Sequence, residues 1–284
     1  MTDHPRGTLP NAHEFVDLSD GVTHYRCDGP DDAPTVLMLH GATVPAWEFD
    51  RLVPYLLDEG MRCVRLDLFG HGYSDRPHVP HDYKMFVRQV EEFIDAIGLQ
   101  GPVSLLGHSL GSVIAARLLL QSPDWFSSLV MTAPMWRFMK PGWPSLMMSL
   151  PGVGELLVHG YAVPMLRRRR ARRYKDIEDG RFVRFFEEQL ALPGFGRSLL
   201  SLVRCDALGN QSSVYQALQQ AQTPLLFVRG DEDTIVTDGA FRDILRTVPR
   251  AEVVRLEDTA HAMLLTHPEK VASAVVPYLK RSLS

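Results

Sequence analysis

Across 284 residues the chain carries 45% hydrophobic and 23% charged side chains and a formal net charge of −4. That balance excludes an intrinsically disordered chain and leaves no basic excess with which the whole chain would bind nucleic acid. Cys27, Cys63 and Cys205 are odd in number and far apart, which argues against a disulfide framework or a C-x-x-C metal site and makes a reducing, cytoplasmic setting the expectation.

Met1 to Phe15 holds charges and prolines but no apolar h-region, so no signal peptide is expected. Phe15 to Leu18 and Val22 to Cys27 flank Ser19-Asp20-Gly21 and read as a hairpin. Thr35 to His40 is apolar on both faces, as a buried parallel strand is, and ends at Gly41. Ala46 to Glu59 has apolar residues at helical spacing, and Met61 to Asp67 reads as the next strand. The Gly-rich loop Asp67 to Asp75 is read as structural. Asp82 to Ile97 places Phe86, Val90, Phe93, Ile94 and Ile97 on one helical stripe that stops at Gly98.

Strand Pro102 to Leu106 then runs into Gly107-His108-Ser109-Leu110-Gly111 and the helical stretch Ser112 to Leu120. A serine on a strained strand-to-helix turn needs neighbours without bulky side chains, which Gly107 and Gly111 supply. It would also present its hydroxyl at a helix N-terminus, where backbone N–H groups favour a developing oxyanion. Phe126 to Ala133 is the next strand. From Pro134 to about Gln222 the rhythm breaks into Pro, Gly, Met and Arg clusters, read as an insertion that lids the site. It resumes with strand Pro224 to Gly230, helix Ala240 to Val248, strand Ala251 to Leu256 and helix Thr266 to Arg281, where Thr266 and Glu269 have capping-box spacing. Strands alternating with helices of ten or more residues argue for a parallel, helix-covered sheet.

A serine hydroxyl needs a base to take its proton, and that base needs a carboxylate to fix its tautomer. His261 follows the strand Val253 to Leu256, and Asp231, Glu232, Asp233 and Asp238 crowd the loop after Leu225 to Val228. Ala133 to Trp136, after the preceding strand, offers no carboxylate. No P-loop, dinucleotide fingerprint or H-E-x-x-H occurs, so no cofactor and no metal are implied.

Together the G-x-S-x-G pentapeptide, the His40-Gly41 pair and the loops bearing Asp233 and His261 resemble the α/β-hydrolase family over roughly residues 12 to 134 and 222 to 284. The resemblance implies an α/β fold with a mostly parallel eight-stranded sheet flanked by helices. It divides the chain into a core of residues 1–134 and 222–284 and an inserted helical cap, 135–221. It implies Ser109 as nucleophile, His261 as base and, by G-x-x-D spacing, Asp233 as the acid, with Asp231 the alternative. Leu110 and Ala42 would supply the oxyanion-hole N–H groups. Relatives with an Asp nucleophile, the epoxide hydrolases and haloalkane dehalogenases, differ at the elbow, where this chain has Ser109.

The activity so implied is that of a serine hydrolase on carboxylic esters, of the carboxylesterase or monoacylglycerol lipase kind. A carbon–carbon bond hydrolase of meta-cleavage type, a lactonase and a ligand-binding receptor are the alternatives. Gly142 to Leu166 is almost uncharged, but Pro144, Pro151 and Pro164 argue against a transmembrane helix. Trp47, Met135, Trp136, Met147 and Met148 are the expected substrate-binding side chains, because Met and aromatic residues suit flexible apolar chains. Arg167 to Arg173 reads as a solvated helix face, with peripheral contact to anionic lipid headgroups or an acidic carrier as the sharper alternative.

Overall fold

The computed structural model describes residues 13–138, 142–205 and 207–283. Most of the stretch expected to lack a leader, residues 1–12, therefore lies outside the described residues, as do 139–141 and 206 of the expected cap. Eight strands form one sheet: β1 (Glu14–Leu18), β2 (Gly21–Asp28), β3 (Thr35–Leu39), β4 (Arg62–Leu66), β5 (Val103–His108), β6 (Phe126–Thr132), β7 (Leu225–Gly230) and β8 (Glu252–Leu256). Their spatial order is β1-β2-β4-β3-β5-β6-β7-β8. Pairing is antiparallel at β1/β2 and β2/β4 and parallel from β4 onward, so the mostly parallel sheet expected from the alternating pattern is present. The runs that read as apolar on both faces are the buried ones: every residue of β3 and β5 is buried.

Helices α1 (Val53–Leu57), α2 (Tyr83–Ala96) and α3 (Leu110–Gln121) follow β3, β4 and β5. The apolar stripe of α2 is buried, and Asp82 caps its start by accepting the Met85 N–H at 2.9 Å. The single helix expected over Ala46 to Glu59 is instead a 3-10 turn, Ala46–Phe49, followed by α1. Pro54 is the reason, since a proline lacks the N–H an interior turn needs but suits the first turn of a new helix.

Between β6 and β7 the chain adds α4 (Trp143–Ser149), α5 (Val153–Leu157), a π-helical turn (Val158–Ala162), α6 (Val163–Tyr174), α7 (Arg181–Ala191), α8 (Phe195–Arg204) and α9 (Ser212–Leu218). After β7 come α10 (Asp238–Thr247), α11 (Met263–Thr266) and α12 (Pro268–Leu283). The expected capping box at Thr266 and Glu269 is not formed. Thr266 Oγ1 donates to the Ala262 carbonyl and the long helix begins at Pro268, which needs no N–H partner there. No single helix among the described residues is long and apolar enough to cross a membrane.

Candidate active site

Four loops at the carboxyl end of the parallel strands meet here, which is where an open α/β sheet places its ligand crevice. At the tip of β5, Ser109 has φ +50° and ψ −112°, a conformation a non-glycine residue adopts only where its surroundings impose it. The two flanking glycines make room for it. A Cβ on Gly111 would lie 2.0 Å from the Leu39 carbonyl oxygen, and one on Gly107 would lie 2.5 Å from that of Gly111. The turn is thus wedged between β3 and the first turn of α3, and the Ser109 N–H is held by the Thr132 carbonyl at 3.0 Å.

In the loop after β8, His261 Nδ1 lies 2.8 Å from Asp233 Oδ2. The His261 ring is 5.1 Å from that of His108, the residue before Ser109, so the imidazole stands beside the elbow. Asp233 spends its other oxygen on the N–H groups of Ile235 and Val236, at 2.8 and 2.9 Å. Its main-chain carbonyl and that of Val236 are gripped by the buried Arg229 at 3.3 and 2.8 Å. A carboxylate so held is fixed in orientation. Among the crowded carboxylates this separates the two candidates. Asp233 is buried on His261, whereas Asp231 is exposed and accepts the Thr259 N–H. Asp238 faces Arg242 and Arg255.

The loop after β3 carries Gly41 and Ala42. A Cβ on Gly41 would come 3.5 Å from Ser109 Cβ, so this loop borders the serine directly. Three buried side chains hold it. His40 accepts the Leu68 N–H on Nε2 at 2.8 Å, which leaves Nδ1 to donate to the Gly41 carbonyl at 2.7 Å, and burial pushes its pKa down to about 3. His71 Nε2 contacts the Ala42 carbonyl at 2.8 Å. Glu48 accepts the Gly41 N–H at 2.7 Å, and burial drives its carboxyl well above the usual range despite that bond and nearby Arg170. Two further side chains reach in from the insertion: Arg170 Nη2 donates to Thr43 Oγ1 at 2.7 Å, and Gln189 Nε2 to the Thr43 carbonyl at 2.9 Å.

Sequence reasoning did not find Glu48, Thr43, Arg170 or Gln189. Glu48 sits in an apparently amphipathic helix where an acid reads as solvent-facing, and the others act across more than 120 residues of chain. The expected substrate-binding side chains do not form one group. Trp47 packs on Phe182 at 5.6 Å, in a cluster that includes Ala262 next to His261. Met135 is buried beneath the elbow helix, its N–H 3.4 Å from Ser112 Oγ. Trp136 is partly buried against the main core, its ring tilted against Tyr215 at 5.4 Å. Met147 and Met148 are half-buried on α4, which packs against α5 and α8.

Residues 34–268 match the family model described as alpha/beta hydrolase fold. A non-heme chloroperoxidase of Streptomyces lividans is 26% identical over 282 residues, covering 93% of this chain and 99% of its own. A bifunctional esterase/perhydrolase of Acinetobacter calcoaceticus is 23% identical over 282 residues, covering 94% and 99%. Among solved structures, a haloalkane dehalogenase from Bradyrhizobium elkani superposes with a TM-score of 0.79 at 19% identity, covering 95% of this chain and 98% of that one.

Proposed function

The chain belongs to the alpha/beta hydrolase fold family, and we propose that within it this protein is a serine hydrolase of carboxylic esters working through an acyl-enzyme. The observation that carries the reading is the buried His261–Asp233 pair at 2.8 Å beside a serine held at positive φ on the strand tip. Ser109 Oγ attacks the ester carbonyl carbon while His261 takes its proton. The tetrahedral oxyanion lies against the N–H groups of Ala42 and Leu110, and the first-turn position of Leu110 leaves its N–H without an intrahelical partner. Collapse breaks the carbon–oxygen bond, and the leaving alcohol takes the proton from His261. Water, activated by the same imidazole, then releases the acid and restores Ser109. Asp233 keeps the Nδ1 proton on the far side of the ring, so that Nε2 faces the serine.

Two relatives bear on the choice of reaction. The Acinetobacter protein is named an esterase, which agrees with a hydroxyl nucleophile. Dehalogenation, named for the structural neighbour, goes with an Asp at the elbow, and this chain has Ser109 there. The substrate we favour has an apolar acyl group, because Trp47, Phe182 and Phe185 pack together next to the His261 loop. Steady multiple turnover of p-nitrophenyl esters, profiled by acyl length, tests the reading. Turnover that stalls after one equivalent indicates a binding protein, and halide release from bromoalkanes without ester hydrolysis indicates a dehalogenase.

A further inference from the structure

The inserted helices leave a surface that the proposed chemistry does not use. Of the nine large apolar side chains exposed among the described residues, seven fall between Phe138 and Tyr161. Trp143, Leu156 and Tyr161 are the most open, at 71, 72 and 66%. α6 continues directly from this stretch and carries the arginine run. Arg168, Arg169 and Arg172 are exposed, and among the described residues none has a carboxylate within ion-pair distance, whereas Arg167 pairs with Glu187 and Arg204 with Glu155. A groove of about 440 Å³ joins the two kinds of surface, lined by Tyr161, Pro164 and Met165 together with those three arginines.

We propose that this face docks on a bilayer containing anionic phospholipid. Uncompensated guanidinium groups bordering apolar side chains match a headgroup phosphate above an acyl layer, and aromatic residues such as Trp143 and Tyr161 suit the boundary between them. Trp143–Ser149 and Val153–Tyr174 meet at 113°, so the apolar stretch is bent and does not form one straight helix. A second copy fits less well, since a two-fold contact through this face would gather two unpaired arginine runs into one interface with no carboxylate between them.

Flotation of the full chain, without substrate, with vesicles of phosphatidylcholine alone and with 30% phosphatidylglycerol tests the docking separately from any esterase activity. On the order of 1 kcal/mol per basic residue near the charged leaflet, or roughly fivefold each, predicts at least tenfold stronger partitioning into the anionic vesicles, weakened by added salt. The variant R168E/R169E/R172E loses that preference, and W143S/L156S/Y161S loses binding to both vesicles, while circular dichroism and hydrolysis of a water-soluble ester stay as in the parent. Equal binding to both vesicles, no binding to either, or unaltered preference in the arginine variant overturns the proposal. So does a concentration-dependent dimer abolished by the apolar variant, which would assign the face to a second copy.

Discussion

Glu48 accepts the Gly41 N–H at 2.7 Å from within the core, and so fixes the loop that borders Ser109. Burial favours its neutral form, and a neutral side-chain oxygen still serves as the acceptor. Glu48→Gln keeps an acceptor of the same reach and is expected to retain ester hydrolysis within about threefold. Glu48→Ala orphans the N–H and frees the loop, at a cost of about 1–3 kcal/mol, so kcat should fall about 10- to 100-fold. Steady-state kinetics of the two variants check this, and equal rates would show that Gly41 needs no tether.

Gln189 ties the insertion to the core, accepting the Gly72 N–H and donating to the Thr43 carbonyl, each at 2.9 Å. Gln189→Leu leaves the buried Gly72 N–H and the part-buried Thr43 carbonyl unpaired and is expected to lower stability by about 1–3 kcal/mol. Urea unfolding measures that loss. The same variant should lower kcat more than it raises KM, because Thr43 adjoins Ala42 in the proposed oxyanion loop.

Gly111 is fixed by the backbone of β3. A Cβ there would meet the carbonyl oxygens of Leu39 and His40 at 2.0 and 2.5 Å, groups that cannot swing away as a flexible side chain does. Gly111→Ala is expected to cost about 3 kcal/mol or more. A urea midpoint like that of the parent would mean that the elbow is not wedged against β3.

Burial lowers the pKa of five histidines: His40 to about 3, His13 and His81 to about 4, and His71 and His108 in the same direction. Each is neutral when folded and takes up a proton on unfolding below about pH 6.5. The unfolded chain therefore binds more protons, and stability falls with pH by at most about 1.4 kcal/mol per unit for each group. Glu48 and Glu91, both raised by burial, work in the opposite sense as two groups against five. Urea midpoints should drop steadily between pH 7 and pH 5, and a flat profile would contradict the burial of these rings.

The strands and the order Ser109, Asp233, His261 were legible because each is a local pattern: an apolar run, a glycine-flanked turn, a polar loop at a strand end. Asp82 as a cap and the buried stripe of α2 were legible for the same reason. What periodicity did not carry was set by distant partners. Glu48 turns inward, where Gly41 offers it an N–H, and Trp136 packs at the edge of the core, where Tyr215 meets it. The helix broken at Pro54 was a local signal outweighed in the reading by the apolar spacing around it. Arg170 belongs to a run that reads as uniformly solvated, yet it turns onto Thr43 and Tyr174, which lie far from it and one turn from it in sequence.

Ser109 Oγ is the atom proposed to form the covalent bond to substrate. Peptide mass spectrometry after stoichiometric labelling with a fluorophosphonate tests it most directly. The expected result is one adduct per chain, on Ser109, with neither label nor ester hydrolysis above about a thousandth of the parent rate in Ser109→Ala. An adduct on another residue, or a Ser109→Ala protein that still turns over esters at the parent rate, would contradict it.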